Sequence, residues 1–182
     1  MRKATIAFLV VILAGVVGAR AAAQEPKTPP PPPAKAKTVA TTAHVTVTAG
    51  DLKWGPAPDS LPPGAQMAVV SGDPSKAGSP FVIRAKFADG YTVPPHFHPS
   101  DENVTVLSGN LLIGMGDKLD AGAAKALGTG GFARMPKGMH HFAIARGATE
   151  IQVHAIGPFG VTYVNPNDDP RKKTTAPAAA KK

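Results

Sequence analysis

Short segments with alternating apolar and polar residues dominate the middle of the chain. Between residues 81 and 87, four apolar side chains fall on one face and both charged side chains on the other, which is typical of a half-buried strand. Apolar runs at 104–107 and 111–113 flank Ser108-Gly109-Asn110, and this pattern predicts two strands joined by a tight turn. Other predicted strands lie at 44–48 and near 130–135, 141–145, 148–156 and 161–164.

Glycine and proline interrupt these segments at short intervals. The chain of 182 residues contains 19 glycines and 20 prolines, so loops are expected around 55–64 and 71–80. No long segment shows the 3.6-residue period of an amphipathic helix. Many short strands joined by turns predict an all-β sandwich or barrel, formed by a single domain at 39–170.

The two ends of the chain differ from this domain. Residues 1–23 combine a basic start, an apolar run and small residues, which predicts a signal peptide cleaved near Ala23/Gln24 and a periplasmic or secreted protein. The apolar run is shorter than a membrane span of about 20 residues, so no span is expected after cleavage. Residues 24–38 form a Pro-rich linker and residues 171–182 a basic tail, and both are predicted to be disordered.

The formal net charge of +8 arises from these two ends. Nine basic and eleven acidic residues lie between 39 and 170, so the predicted domain is slightly acidic and nucleic-acid binding is not expected. Cysteine does not occur in the sequence, which excludes disulfides, thiolate metal sites and a cysteine nucleophile.

The candidate chemistry lies in a group of histidines. His96 and His98 are two residues apart, so on an extended strand both imidazoles point to the same side. Glu102 follows Pro99-Ser100-Asp101, which predicts a bend, and a third imidazole is available from His140 or His141 after a Pro-Lys-Gly turn. Three imidazoles and a carboxylate suit a divalent transition metal such as Fe, Mn, Cu, Ni or Zn. The alternative is that the histidines are surface or core residues and the glutamate is an exposed loop acid.

The spacing of these residues resembles that of a known family, the cupins. The first cupin motif is matched by Gly90-x5-His96-x-His98-x3-Glu102-x6-Gly109, and the second by Gly130-x5-Pro136-x-Gly138-x2-His141. The second motif departs from the family at its last position, where Ala145 stands in place of the usual Asn.

The resemblance implies a double-stranded β-helix, or jelly-roll barrel, with a metal inside its mouth. It transfers the ligand role to His96, His98, Glu102 and His141. By the motif spacing, the third imidazole ligand is His141 and not the adjacent His140. Cupins often pair through sheet edges, so a homodimer is expected from the resemblance alone.

Two further histidines call for an interpretation. His154 shares one face of a predicted strand with Gln152 and Ile156, so it is a candidate for a substrate-facing residue or a residue behind the metal ligands. A core histidine with satisfied hydrogen bonds is an equally good interpretation. His44, near the start of the predicted domain, is expected to be structural.

The resemblance favours an enzyme. Many cupins with all four ligands are oxygenases, so the favoured function is a metal-dependent dioxygenase or oxidase acting on a small oxygenated molecule. A divalent cation with one carboxylate leaves a charge of about +1, which favours anionic or enolisable oxygen ligands. The alternatives are a non-catalytic protein that binds metal or a small ligand, and a non-redox isomerase or lyase.

Overall fold

The computed structural model describes residues 44–173. The predicted signal peptide, the predicted linker and residues 174–182 of the predicted tail lie outside the described residues. None of the helices in the described part is long and apolar enough to cross a membrane. The described strands are β1 (Gly55–Pro56), β2 (Gln66–Ser71), β3 (Pro80–Phe87), β4 (Thr92–Phe97), β5 (Glu102–Met115), β6 (Lys125–Gly128), β7 (Phe132–Met135), β8 (His141–Ile156) and β9 (Thr162–Tyr163).

These strands form two antiparallel layers that share their two longest members. One layer has the order β1, β2, β3, β8, β5, β7, and the other has the order β9, β4, β8, β5, β6. The strands β5 and β8 pair along almost their whole length, from Asn103↔His154 to Met115↔His141. Because both strands pass from one layer into the other, the sheet closes into the predicted jelly roll.

The point where β5 changes layers is the segment that the sequence predicted as a tight turn. That prediction was wrong: residues 108–110 form an irregularity within one continuous strand, where the register with β8 shifts. Gly109 has a φ of +80°, and a Cβ there would overlap the backbone of Ala148 and Thr149. The Thr149 hydroxyl completes the irregularity by bonding to both the amide and the carbonyl of Asn110. A bulge and a turn need the same kind of glycine, so only the partner strand distinguishes them.

Several other boundaries also differ from the sequence pattern. The two predicted strands at 141–145 and 148–156 are one strand, β8. Residues 44–48 lie outside any strand and are exposed, although they alternate. The short strand β1 lies within the stretch 55–64 that was expected to be a loop. The strands β2 and β6 were not predicted, because their apolar residues do not alternate clearly. The first residues of the predicted tail are ordered as a helical turn, Pro170–Lys173, where Arg171 bonds to Asp169 and to the Val161 carbonyl.

The core fills the space between the two layers. The alternation predicted for residues 81–87 is confirmed, since Phe81, Ile83, Ala85 and Phe87 are buried in β3. They pack against apolar side chains from β5 and β8, including Val104, Val106, Leu111, Ile113, Ile151 and Val153. The basic side chains of β3 therefore point away from the core.

A close approach between β5 and β8 makes one glycine necessary for packing. Gly114 is paired with Phe142, whose ring is 1% exposed, and a Cβ at Gly114 would overlap that ring. We expect Gly114→Ala to lower the free energy of unfolding by about 1–3 kcal/mol, because a buried ring has to move. Gly128→Ala, at a position with free space around it, is the control. Urea unfolding curves measure both, and equal midpoints would contradict the packing argument.

Candidate metal centre

The strands bring the four predicted ligands to one internal cavity. His96 lies in β4, directly opposite His141 at the start of β8, and His98 follows the end of β4. Glu102 is the first residue of β5. All four side chains are buried, with residue exposures between 2% and 8%.

A turn between β7 and β8 holds His141 close to His98 and Glu102. The amide of Gly138 donates to the carbonyl of His98 at 3.0 Å, and the amide of Met139 closes the turn on the carbonyl of Pro136. The carboxylate of Asp101 accepts from the amide of Lys137 at 2.8 Å. These bonds tie the segment before Glu102 to the segment before the third histidine.

The ring nitrogens of the three histidines converge. One ligand nitrogen from each of His96, His98 and His141 lies within 4.8 Å of the others, and these residues form a candidate transition-metal site. The Oε2 atom of Glu102 lies 3.4 Å from Nε2 of His98 and 3.2 Å from Nε2 of His141. The carboxylate therefore borders the same cluster.

Backbone carbonyls determine which nitrogen of each ring faces this cluster. The Nδ1 atoms of His96, His98 and His141 lie 2.7, 2.7 and 2.9 Å from the carbonyl oxygens of Pro94, Gly160 and Met139. A carbonyl only accepts, so each Nδ1 carries the proton and donates it. In a neutral ring the Nε2 lone pair is then free, and this is the arrangement usual for histidines that bind metals.

Two of these nitrogens have no hydrogen-bond partner among the described residues. They are Nε2 of His98 and Nε2 of His141, and both are buried. Their lone pairs face a carboxylate, so the cluster needs a cation, either a proton or a metal ion, to relieve the repulsion. The donor set fits a divalent transition metal, and the unpaired nitrogens are the observation that supports this fit.

The side chains of the cluster shift one another's pKa values. Burial, together with the two neighbouring imidazoles, lowers the pKa of His96 from 6.5 to about 3. Burial alone would raise the pKa of Glu102, but the contacts with His141 and His98 outweigh it and hold the pKa below its ordinary value. Burial lowers the pKa of His98, yet the contact with Glu102 outweighs burial and the net shift is upwards. The cluster in the protein without metal thus retains a charged carboxylate beside at least one neutral imidazole.

The cavity around the cluster is largely apolar. Its volume is about 290 Å³. Apart from the four candidate ligands, the polar side chains among its described lining residues are Ser60 and Ser75. The other walls come from inward-facing residues of the strands, such as Ile83, Leu111, Ile113, Ile151 and Val153.

Loops, including the one between β1 and β2, cover one end of the cavity. The ring of Phe159 stacks on His98 with centroids 4.3 Å apart, next to the carbonyl of Gly160 that holds the same histidine. The hydroxyls of Tyr91 and Tyr163 donate to the carbonyls of Pro62 and Ser60, which ties the loop between β1 and β2 to the barrel. Burial raises the pKa of Tyr91 to about 12, so its hydroxyl stays a donor.

The other predicted histidines lie away from the cavity. His140 bonds through Nδ1 to Asp117 at 2.6 Å and stacks on Phe97, as expected of a residue on the opposite face of the strand. The interpretation of His154 as a substrate-facing or core residue was wrong: it is exposed on the outer face of β8, because Val153 and its alternate neighbours face the core. His44 is exposed and its Nε2 lies 2.8 Å from the hydroxyl of Thr46, so its structural role stays a prediction.

The chain matches one family model and a number of solved structures. A family model described as a domain of unknown function, DUF4437, matches residues 45–182. No curated protein matches the chain. A solved structure of a cupin superfamily protein from Desulfitobacterium hafniense matches with 15% identity and a TM-score of 0.43, over 51% of this chain and 77% of that one.

Two other solved structures are similar over more of the chain. The polyketide cyclase RemF from Streptomyces resistomycificus is 21% identical, with a TM-score of 0.55 over 74% of this chain and 95% of that one. A putative acetylacetone dioxygenase from Methylibium petroleiphilum is 16% identical, with a TM-score of 0.55 over 70% of this chain and 85% of that one. At these identities the similarity shows the fold and leaves the reaction open.

Proposed function

Because the chain belongs to the DUF4437 family and has the cupin fold, we propose that it is a metal-dependent oxidoreductase of the dioxygenase or oxidase type. Its substrate is a small oxygenated molecule, and its ligands are His96, His98, Glu102 and His141. The observation that carries this proposal is the pair of buried imidazole nitrogens that have no hydrogen-bond partner among the described residues and face a carboxylate inside an apolar cavity.

The residues of the chain have distinct tasks in this proposal. When bound, a redox-active metal such as iron, manganese or copper supplies the Lewis acidity and the electron transfer. The backbone carbonyls behind the three histidines fix the direction of the rings. The apolar walls and the loop that contains Phe159 exclude water, so that reactive species are not quenched by protons from solvent.

The lining of the cavity also separates the competing functions. A non-redox isomerase or lyase needs a group that takes or gives a proton, and such a group lies within hydrogen-bond reach of the substrate. In the described lining, the candidate ligands are the only titratable side chains. This supports redox chemistry, with non-catalytic binding of a metal or small ligand as the second candidate.

Export belongs to the same proposal. Residues 1–23 direct the protein to the periplasm or the medium, with cleavage near Ala23/Gln24. Amino-terminal sequencing of protein recovered outside the cytoplasm tests this, and a mature protein that begins with Met1 would contradict it.

Metal analysis and oxygen uptake test the proposed activity. We expect the purified protein to contain about one equivalent of iron, manganese or copper, and to consume oxygen with at least one member of a panel of diketones, hydroxy acids and catechols. We expect His98→Ala to lose both properties while it stays folded, since the apolar core surrounds the site. His154→Ala, on the outer face, should retain both. Zinc as the native metal with no oxygen uptake would favour the binding function instead.

A further inference from the structure

We infer that Phe159 is a positioning residue for the metal centre, and that it holds the imidazole of His98 in the direction that a metal ligand needs. The ring of Phe159 stacks on the ring of His98, and the next residue, Gly160, supplies the carbonyl that accepts the Nδ1 proton of the same histidine. This role rests on the proposed function, because it takes the histidine cluster as the metal site. It concerns the binding of the metal and does not depend on the substrate or on whether the substrate is oxidised.

Of the three imidazoles, that of His98 alone takes its direction from a distant part of the chain. The carbonyls that accept from Nδ1 of His96 and His141 each belong to the residue two positions earlier in the sequence. The local backbone that carries these two rings therefore also directs them. The carbonyl that accepts from His98 is 62 residues away, in the loop after β8. The direction of this ring consequently depends on where that loop lies.

A second loop, between β2 and β3, fixes the loop after β8. The amide of Phe159 donates to the carbonyl of Pro74 at 2.8 Å. Both the amide and the carbonyl of Gly157 bond to backbone groups of the second loop, at 2.9 Å each. A Cβ at Gly157 would lie 2.4 Å from the carbonyl oxygen of Lys76, so no side chain fits between the two loops. Backbone contacts that do not involve the histidines thus determine where Phe159 lies.

Ring contacts set the plane of the Phe159 side chain. Its centroid is 4.3 Å from that of His98, with 18° between the two planes. It also meets the ring of Phe81 edge-on at 5.2 Å, and Phe81 is buried in the core. The face of an aromatic ring is negative, whereas an imidazole bound to a cation carries part of the positive charge. Stacking therefore stabilises the metal-bound form of His98 more than the free form.

Titration of the full-length protein with cobalt(II) tests this role. The titration is done without substrate, because Phe159 lines the cavity and would also contact a bound molecule. We expect Phe159→Leu, which keeps an apolar side chain but removes the stacked ring, to weaken cobalt(II) binding by at least about tenfold. Phe159→Tyr keeps the ring and should bind as the wild type does. The matched control is Phe87→Leu, which removes a cavity-lining ring that stacks on Tyr91 and should change the affinity by less than about threefold.

Proton NMR of the cobalt(II)-loaded protein separates positioning of one ligand from a general loosening of the site. The paramagnetic ion shifts the Nδ1 protons of the three imidazoles far from other signals, and these protons exchange with water. We expect Phe159→Leu to move one of the three signals, or to remove it through faster exchange. The other two signals should keep their positions, because His96 and His141 bond to carbonyls of their own local backbone.

The outcomes separate this role from the proposed function. Wild-type affinity and wild-type signals in Phe159→Leu would overturn the positioning role. Equal changes in all three signals, or the same loss of affinity in Phe87→Leu, would also overturn it, because the ring would then act only through packing. The expected cobalt(II) results without oxygen uptake by the iron-loaded wild type would refute only the proposed activity. Failure of the wild type to bind cobalt(II) would refute both proposals.

Discussion

Replacement of His141 by alanine should reduce the affinity for divalent transition metals by more than about a hundredfold, whereas replacement of its neighbour His140 should change the affinity by less than about threefold. The two residues are adjacent in the chain, but their side chains point in opposite directions. His141 is 2% exposed and faces Glu102 at 3.2 Å, whereas His140 bonds to Asp117 outside the cavity. Loss of a residue behind a ligand typically costs 10–100-fold in metal affinity, so loss of the ligand itself should cost more.

Competition with a chromogenic chelator measures this difference. Circular dichroism and urea unfolding of both variants control for folding, because His141 is the first residue of β8 and His140 directly precedes it. A similar loss of affinity in both variants would contradict the assignment of ligands. An unchanged affinity in His141→Ala would contradict it as well, since the unpaired Nε2 atom would then have no part in metal binding.

The alternation of apolar and polar residues was sufficient to predict those strands that bury only one face. In β3, alternation separates Phe81 and Ile83 from Arg84 and Lys86, and no information about neighbouring strands is needed. In contrast, Gly109 marks a change of direction that is equally compatible with a turn and with a bulge. The ladder with β8 and the contacts of Thr149 decide between them, and these are contacts between residues about 40 positions apart.

The same distinction applies to the site. The motif spacing selected four residues that the structure brings to one cavity, through the pairing of β4 with β8 and the Gly138–His98 bond. Alternation placed His154 on one face of β8 but could not tell whether that face was inner or outer, and it is the outer one. Phe159, Tyr91 and Tyr163 carried no signal in the sequence. The two tyrosines hold the loop between β1 and β2, and the roles of all three depend on how loops pack over the cavity.

Removal of the metal should make the stability of the protein steeply dependent on pH. Burial and the neighbouring imidazoles lower the pKa of His96 from 6.5 to about 3 in the folded protein. Below pH 6.5 the unfolded chain binds a proton at this residue and the folded chain does not, so acid favours unfolding. The free energy of unfolding is therefore unaffected by His96 above pH 6.5 and decreases as the pH falls from 6.5 towards 3. Over that window the decrease due to His96 is on the order of 4 to 5 kcal/mol.

Two neighbours act in other pH windows. The pKa of His98 is raised in the folded protein, so His98 stabilises the fold at pH values below 6.5, the ordinary pKa of histidine. This contribution is lost as the pH rises through the folded-state pKa. The pKa of Glu102 is lowered in the folded protein, so Glu102 stabilises the fold at pH values above 4.5, the ordinary pKa of glutamate. This contribution is lost only as the pH falls well below 4.5. As the pH falls from the folded-state pKa of His98 to 6.5, His98 therefore adds stability, and below pH 6.5 its contribution stays constant while that of His96 is lost. A variant of His96 isolates the share of His96.

His96→Asn provides that variant, because its amide can still donate to the carbonyl of Pro94 but does not titrate. Between pH 7 and 4.5, the free energy of unfolding of the chelator-treated wild type should fall by about 2 to 3 kcal/mol more than that of His96→Asn. Urea unfolding at the two pH values measures this, with His154→Asn, an exposed histidine outside the cavity, as the control that keeps the wild-type slope. If wild type and His96→Asn had the same pH dependence, His96 would not be held neutral by its surroundings, and the packing of three imidazoles around one buried point would have to be abandoned.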